Sequence, residues 1–155
     1  MNQITWQSLP FDKLTAHQLY QLLKLRVDVF VVEQNCPYPE LDDKDHQPEV
    51  HHLLGYDGES LVACARLLPA GISYEDVSIG RIATSDKVRR QGVGNTLVET
   101  ALKECHSLWP NQSITIGAQE HLANFYNTHG FVKISEMYLE DDIPHIDMRL
   151  EKQRA

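Results

Sequence analysis

The stretch Val77–Leu102, VSIGRIATSDKVRRQGVGNTLVETAL, collects residue types suited to holding an anion. An apolar, β-rich run through Val77, Ile79 and Ile82 leads into a short charged turn, after which Gly92 and Gly94 open a helix. The first turn of a helix carries backbone N–H groups without partners, and the macrodipole adds about half a positive charge there. Two glycines at this point let another molecule approach the backbone where a Cβ would block it, so several N–H groups can converge on one phosphate. Lys87, Arg89 and Arg90 stand just before them. The dinucleotide fingerprint needs a glycine where Leu97 stands, and the P-loop needs a Gly-Lys-Ser/Thr ending that this turn lacks. A phosphate cradle of another kind and an ordinary helix start both fit these residues, and the rest of the chain must decide between them.

At 155 residues and 17.7 kDa the chain has the length of about one domain with a sizeable core. No apolar run approaches the roughly 18 residues that a membrane helix requires, and MNQITWQSLPFDKL lacks the basic start and apolar centre of a signal peptide. A cytoplasmic protein with no membrane partner is expected. The net charge of −8, from 14 Lys plus Arg against 22 Asp plus Glu, argues against nucleic acid, because a duplex repels an acidic surface. Acid gathers in Glu40–Glu49 and Glu140–Asp142, apart from the basic Lys87, Arg89 and Arg90. That segregation suits a polyanion at one place and a cation at another, while solvated loops would show the same acidic runs. Cys36, Cys64 and Cys105 are odd in number and widely spaced, which points to reduced thiols.

In chain order, Ile4–Leu9 reads as a first strand. Thr15 with Gln18 fits a capping box, and Leu19, Leu22, Leu23, Val27 and Phe30 keep the helical period, predicting a helix over Ala16–Val32 with Arg26 snorkelling at the edge of its apolar stripe. Pro37, Pro39 and Pro48 break the next, acid-rich stretch into a loop long enough to act as a binding lid. Its His46, His51 and His52 beside Asp42, Asp43 and Asp45 match no ligand spacing, so no metal is expected. Asp57-Gly58 between His52–Tyr56 and Ser60–Leu67 predicts a hairpin. After the helix that starts at Gly94, Ser113–Gly117 reads as a buried strand, giving a βαβ unit with parallel strands. A short helix over Leu122–Thr128 and strands over Phe131–Tyr138 and His145–Leu150 complete one α/β domain, residues 1–155 with a core of 9–151.

Arg89-Arg90-Gln91-Gly92-Val93-Gly94 resembles the R/Q-x-x-G-x-G/A signature of the GNAT superfamily of N-acetyltransferases. Asn124-Phe125-Tyr126 ahead of Gly130-Phe131 resembles that family's second signature, in the same order along the chain. LRVDVFVVEQNCPYPELDDKD, GAQEHLANFYNTHGF and EDDIPHIDM look like its ElaA-type branch. The resemblance implies the acyl-CoA N-acyltransferase fold: a mixed central sheet of six to seven strands with helices on both faces. It implies acetyl-CoA as co-substrate, with Ile82, Ala83 and Thr84 offering backbone to the pantetheine arm and Arg89, Arg90, Gln91, Gly92, Val93, Gly94 and Asn95 holding the pyrophosphate. Gln119 stands where many relatives have asparagine, and either it or Asn124 is expected at the cofactor.

The implied reaction moves an acetyl group to a primary amine of a small molecule or peptide by direct attack. A lysine-like amine must first lose a proton at a cost of about 4.6 kcal/mol at neutral pH. Tyr126 is the expected acid, because a phenol stays protonated at neutral pH and can donate to a departing thiolate. For the base, His145 and Glu33 compete with each other and with no dedicated base; His145 follows Pro144 at the start of the last strand, a context that some small-molecule acetylating relatives share. Arg26, Phe30, Glu33 and Arg81 are the expected acceptor-side residues, Arg81 holding an acidic group, pairing with Glu33 or, ahead of both, forming a structural ion pair. Cys64 with His52 would suit a thiol hydrolase, but alternation in LVACAR makes Cys64 a packed strand residue. A non-catalytic acyl-CoA-binding sensor is the rival class, and it would have no use for Tyr126 or His145. Exposed strand edges near the C-terminus would permit a homodimer.

Overall fold

The computed structural model describes residues 3–152. Strand β1 (Thr5–Pro10) is followed by helix α1 (Ala16–Val27), whose start carries both halves of the Thr15–Gln18 capping box. The expected continuation to Val32 is wider than a regular helix: Asp28–Glu33 forms a π-helical turn. Such turns rotate the side chains that follow, and this one sets Phe30 and Glu33 on the wall of a cleft.

Strands β2 (His51–Asp57) and β3 (Ser60–Leu68) make the predicted hairpin, with Gly58 at φ 63°. Next come β4 (Val77–Thr84), α2 (Val93–Leu108), β5 (Ile114–Gln119), α3 (Ala123–Asn127), β6 (Val132–Lys133), β7 (Tyr138–Glu140) and β8 (Ile143–Leu150). The mixed sheet has the order β1-β2-β3-β4-β5-β8-β6, with β7 also paired to β8, eight strands among the described residues. Six to seven were expected because Phe131–Tyr138 reads as one strand. Instead, Ile134 N–H donates to the Asp147 carbonyl while Ser135 Oγ accepts the Asp147 N–H, so a side chain interrupts the backbone ladder between β6 and β7.

Alternation along the strands supplies both faces of the sheet. Leu53, Ala63 and Ala65 pack with Leu97, Val98 and Ala101 of α2, whereas Leu54 and Cys64 pack with Leu22, Leu25 and Val29 on the α1 side. Two features of β4 shape the cleft. Its pairing with β3 steps from Cys64↔Ala83 to Arg66↔Gly80, a bulge in which Arg81 takes φ 50°. Its parallel pairing with β5 holds only at Val77↔Ile114 and Ser78↔Thr115, so beyond Ser78 the two strands part.

Candidate active site

Where β4 and β5 separate, a cavity of about 1090 Å³ opens between them. One wall is β4 from Ile79 to Thr84, the other is β5 from Ile116 to Gln119 continued by Tyr126 and β8, and Phe30 and Glu33 close the side toward α1. Strand separation leaves this edge of β4 without a β5 partner from Ile79 onward. Unpaired N–H and C=O groups facing a cleft invite an extended chain with amide groups of its own.

The glycine turn follows directly after Arg89, which lines the cleft. Arg90 and Gly92 take φ 67° and 78°, and Gly92 caps α2 without any side-chain hydrogen bond. The N–H groups of Val93, Gly94 and Asn95 in the first turn are therefore left to a ligand. Val93 itself packs into the core, so it offers only backbone. Gln91, Gly92 and Val93 also border a separate cavity of about 610 Å³ with Lys87. Asn95 Oδ1 lies 3.1 Å from His129 Nε2. Arg89 is engaged already: its guanidinium donates to the Thr84 carbonyl at 2.9 Å and pairs with Glu33 at 2.7 Å.

Tyr126 and His145 meet in the cleft. Tyr126 is 6% exposed, packed edge-on against Phe125 and Phe131, and its hydroxyl has no hydrogen-bond partner among the described residues. Burial alone pushes its phenol up to about 12. His145 is 8% exposed, and its Nδ1 lies 2.7 Å from the Ile143 carbonyl. A carbonyl only accepts, so Nδ1 carries a proton and Nε2 is the nitrogen left to exchange one. Glu140 Oε2 lies 3.5 Å from that Nε2, and the Tyr138 ring stacks on the imidazole.

The Acetyltransferase (GNAT) domain family matches residues 23–152. The protein ElaA of Escherichia coli is 45% identical over 152 residues, covering 98% of this chain and 99% of that protein. This chain belongs to the GNAT acetyltransferases. The crystal structure of E. coli ElaA superposes with a TM-score of 0.91 at 44% identity, covering 96% of this chain and 100% of that one. A crystal structure of an acyl-CoA N-acyltransferase from Pseudomonas aeruginosa gives the same TM-score and identity over 95% of this chain and 99% of its own.

GNAT members take acyl groups from coenzyme A thioesters, and the residues present suit such a ligand. The open β4 edge at Ile82, Ala83 and Thr84 matches a pantetheine arm, and the uncapped α2 start behind Arg90 and Gly92 matches a pyrophosphate. Gln119 lines the cleft and donates to Gln34, whereas Asn124 is exposed on α3 and does not line it. Of the two, Gln119 is the one on the cleft wall.

On the acceptor side, Arg26 departs from expectation and Arg81 forms a structural ion pair with partners other than Glu33. Arg26 is 1% exposed and off the cleft wall; its guanidinium donates to Glu40 at 2.6 Å and to Asp45 at 2.7 Å. It is neither a substrate ligand nor a snorkelling edge residue. Arg81 does line the cleft, but it pairs with Glu40 and Asp42, not with Glu33. Arg66 completes the set on Asp42 and Asp45. Part of the acidic loop is therefore not simply solvated: three arginines tie Glu40, Asp42 and Asp45 to α1, β3 and β4, while Asp43 and Glu49 are exposed. His52 Nε2 lies 2.9 Å from the Asp45 carbonyl, and Cys64 is a fully buried thiol pushed up to about 12. Register sets His52 opposite Arg66 and Cys64 opposite Leu54, so the pair makes no nucleophile and base.

Proposed function

We propose that the protein is an acetyl-CoA-dependent N-acetyltransferase acting on a primary amine by direct attack. The observation that carries this reading is the cleft itself: Tyr126 with a hydroxyl that no protein group holds and His145, whose Nε2 has only the exposed Glu140 carboxylate 3.5 Å away, share the space beside the open β4 edge. A bound acetyl thioester supplies an activated acyl carbon. His145 Nε2 takes a proton from the amine, the amine nitrogen bonds to the acyl carbon, and the carbon–sulfur bond breaks. Tyr126 holds the departing sulfur through its O–H. Its raised pKa keeps that proton in place at any working pH and makes the phenol a hydrogen-bond donor first and a full acid second. The proton lost by the amine ends on the thiol, so the reaction balances. Glu33 is tied to Arg89, a pair more than a third exposed on both sides and so weakly held. A phosphate drawing Arg89 away would free Glu33 to line the acceptor entrance. A sensor that only bound acyl-CoA would gain nothing from Tyr126 and His145.

Calorimetric titration with acetyl-CoA tests the reading. Binding to the unaltered protein and a loss of more than about a hundredfold in Gly92→Glu are expected, since that residue must sit at positive φ and would set a carboxylate against phosphate. Absence of binding to the unaltered protein would sink the proposal. For the base, His145→Ala is expected to slow turnover and remove the acidic limb of the pH–rate profile. A limb that survives would transfer the role to Glu33 or to water.

A further inference from the structure

Ile146 and Met148 of β8 face the core, so His145 and Asp147 share the opposite, cleft-lining face. The register places Gln119 opposite His145 and Gly117 opposite Asp147. Two phenols converge on the Asp147 carboxylate, and a serine holds its backbone. Asp147 Oδ1 accepts hydrogen bonds from the Tyr74 hydroxyl at 2.9 Å and the Tyr138 hydroxyl at 2.7 Å, and the Asp147 N–H donates to Ser135 at 2.9 Å. Gly117 makes the arrangement possible: a Cβ there would lie 2.7 Å from the Tyr74 oxygen and 3.1 Å from that of Tyr138.

Oδ2 of Asp147 has no protein partner among the described residues, and no Lys, Arg or His there pairs with this carboxylate. The cations that line the same cleft are committed elsewhere: Arg66 to Asp42 and Asp45, Arg81 to Glu40, Arg89 to Glu33, and Lys44 to Ser73. An orienting pair of phenols on one oxygen and a vacant second oxygen is a receptor for a cation, with aromatic faces at its sides. Independently, the nine-tenths-buried Tyr126 presents its unpartnered hydroxyl to this cleft, marking it as a place where a ligand sits.

We infer that Asp147, oriented by Tyr74 and Tyr138, anchors an ammonium group of the acceptor, which makes the substrate a diamine or a molecule with an equivalent second cation. The inference rests on the acetyltransferase reading above. Residues two apart on a strand are about 6.6 Å apart, so a chain of several methylenes would carry one nitrogen to His145 and leave the other on Asp147. Asp147 acts in specificity: it holds the non-reacting end and touches none of the bonds that change.

The test compares diaminopentane with pentylamine, using release of the coenzyme thiol. In the unaltered protein kcat/KM should favour the diamine by about tenfold or more, the range of a charge-assisted contact. Asp147→Asn keeps an acceptor for both phenols and should bring the two amines within about twofold, through KM for the diamine alone. Acetyl-CoA affinity, measured by calorimetry, should not change. Equal losses for both amines, or a preference for pentylamine, would overturn the assignment. If neither amine is acetylated, titration of diaminopentane into the protein saturated with CoA decides: binding that Asp147→Asn weakens about tenfold supports the anchor, and no binding overturns it. Failure to bind acetyl-CoA would instead strike the acetyltransferase reading.

Discussion

Tyr126→Phe is expected to lower turnover by about a hundred- to ten-thousandfold while leaving acetyl-CoA affinity within about twofold. The substitution is unusually clean. The ring is held by Phe125 and Phe131 at centroid distances of 5.1 and 6.1 Å, and phenylalanine keeps both contacts. The hydroxyl has no partner among the described residues, so removing it breaks no hydrogen bond. The oxygen opens onto the cleft and is not a fully buried orphan, so its removal strands no polar group and the variant should melt at about the same temperature. Thiol release, calorimetry and a thermal melt check the three parts. Unchanged turnover would remove Tyr126 from the mechanism, and lower stability with intact turnover would make it a core residue.

The capping box at Thr15 and Gln18, the Asp57-Gly58 turn and the uncapped glycine start of α2 were legible because each is a local device whose residues are neighbours in the chain. The π turn at Asp28–Glu33 was not, since no residue in DVFVVE announces it and only packing against the sheet decides it. Arg26 was misread for a related reason: its stripe position was visible, but Glu40 and Asp45, which make burial tolerable, lie in a loop whose path the sequence does not give. Gly117, Tyr74 and Tyr138 were missed as a group because they come from three separate elements. Asp147 left a signal. In Pro144-His145-Ile146-Asp147-Met148 the strand alternation that points Ile146 and Met148 inward also sets Asp147 beside His145.

That arginine-bound loop sets the largest expected loss of stability. Arg26→Met should destabilise the protein by about 3–5 kcal/mol, because Glu40 and Asp45 are themselves buried and would keep their charges with fewer partners. Against a total of about 5–15 kcal/mol this brings the fold close to its limit. Denaturant unfolding at several pH values separates lost charge pairing from lost packing. Against the opposing effect of burial, hydrogen bonds and charge from Arg26 and Arg66 hold the Asp45 carboxyl below its usual range in the folded state. A depressed carboxylate contributes stability that is complete above the unfolded value of about 3.9 and is lost as pH falls through the lower folded value. The gap between the unaltered protein and Arg26→Met should accordingly be widest near neutral pH and narrow as pH drops below about 3.9. A gap independent of pH would assign Arg26 a packing role alone. Glu40 links this network to the cleft by holding Arg81 as well as Arg26. The surviving folded fraction of the variant should therefore show a raised KM for the amine with little change in acetyl-CoA affinity, since the glycine turn at α2 touches none of these residues.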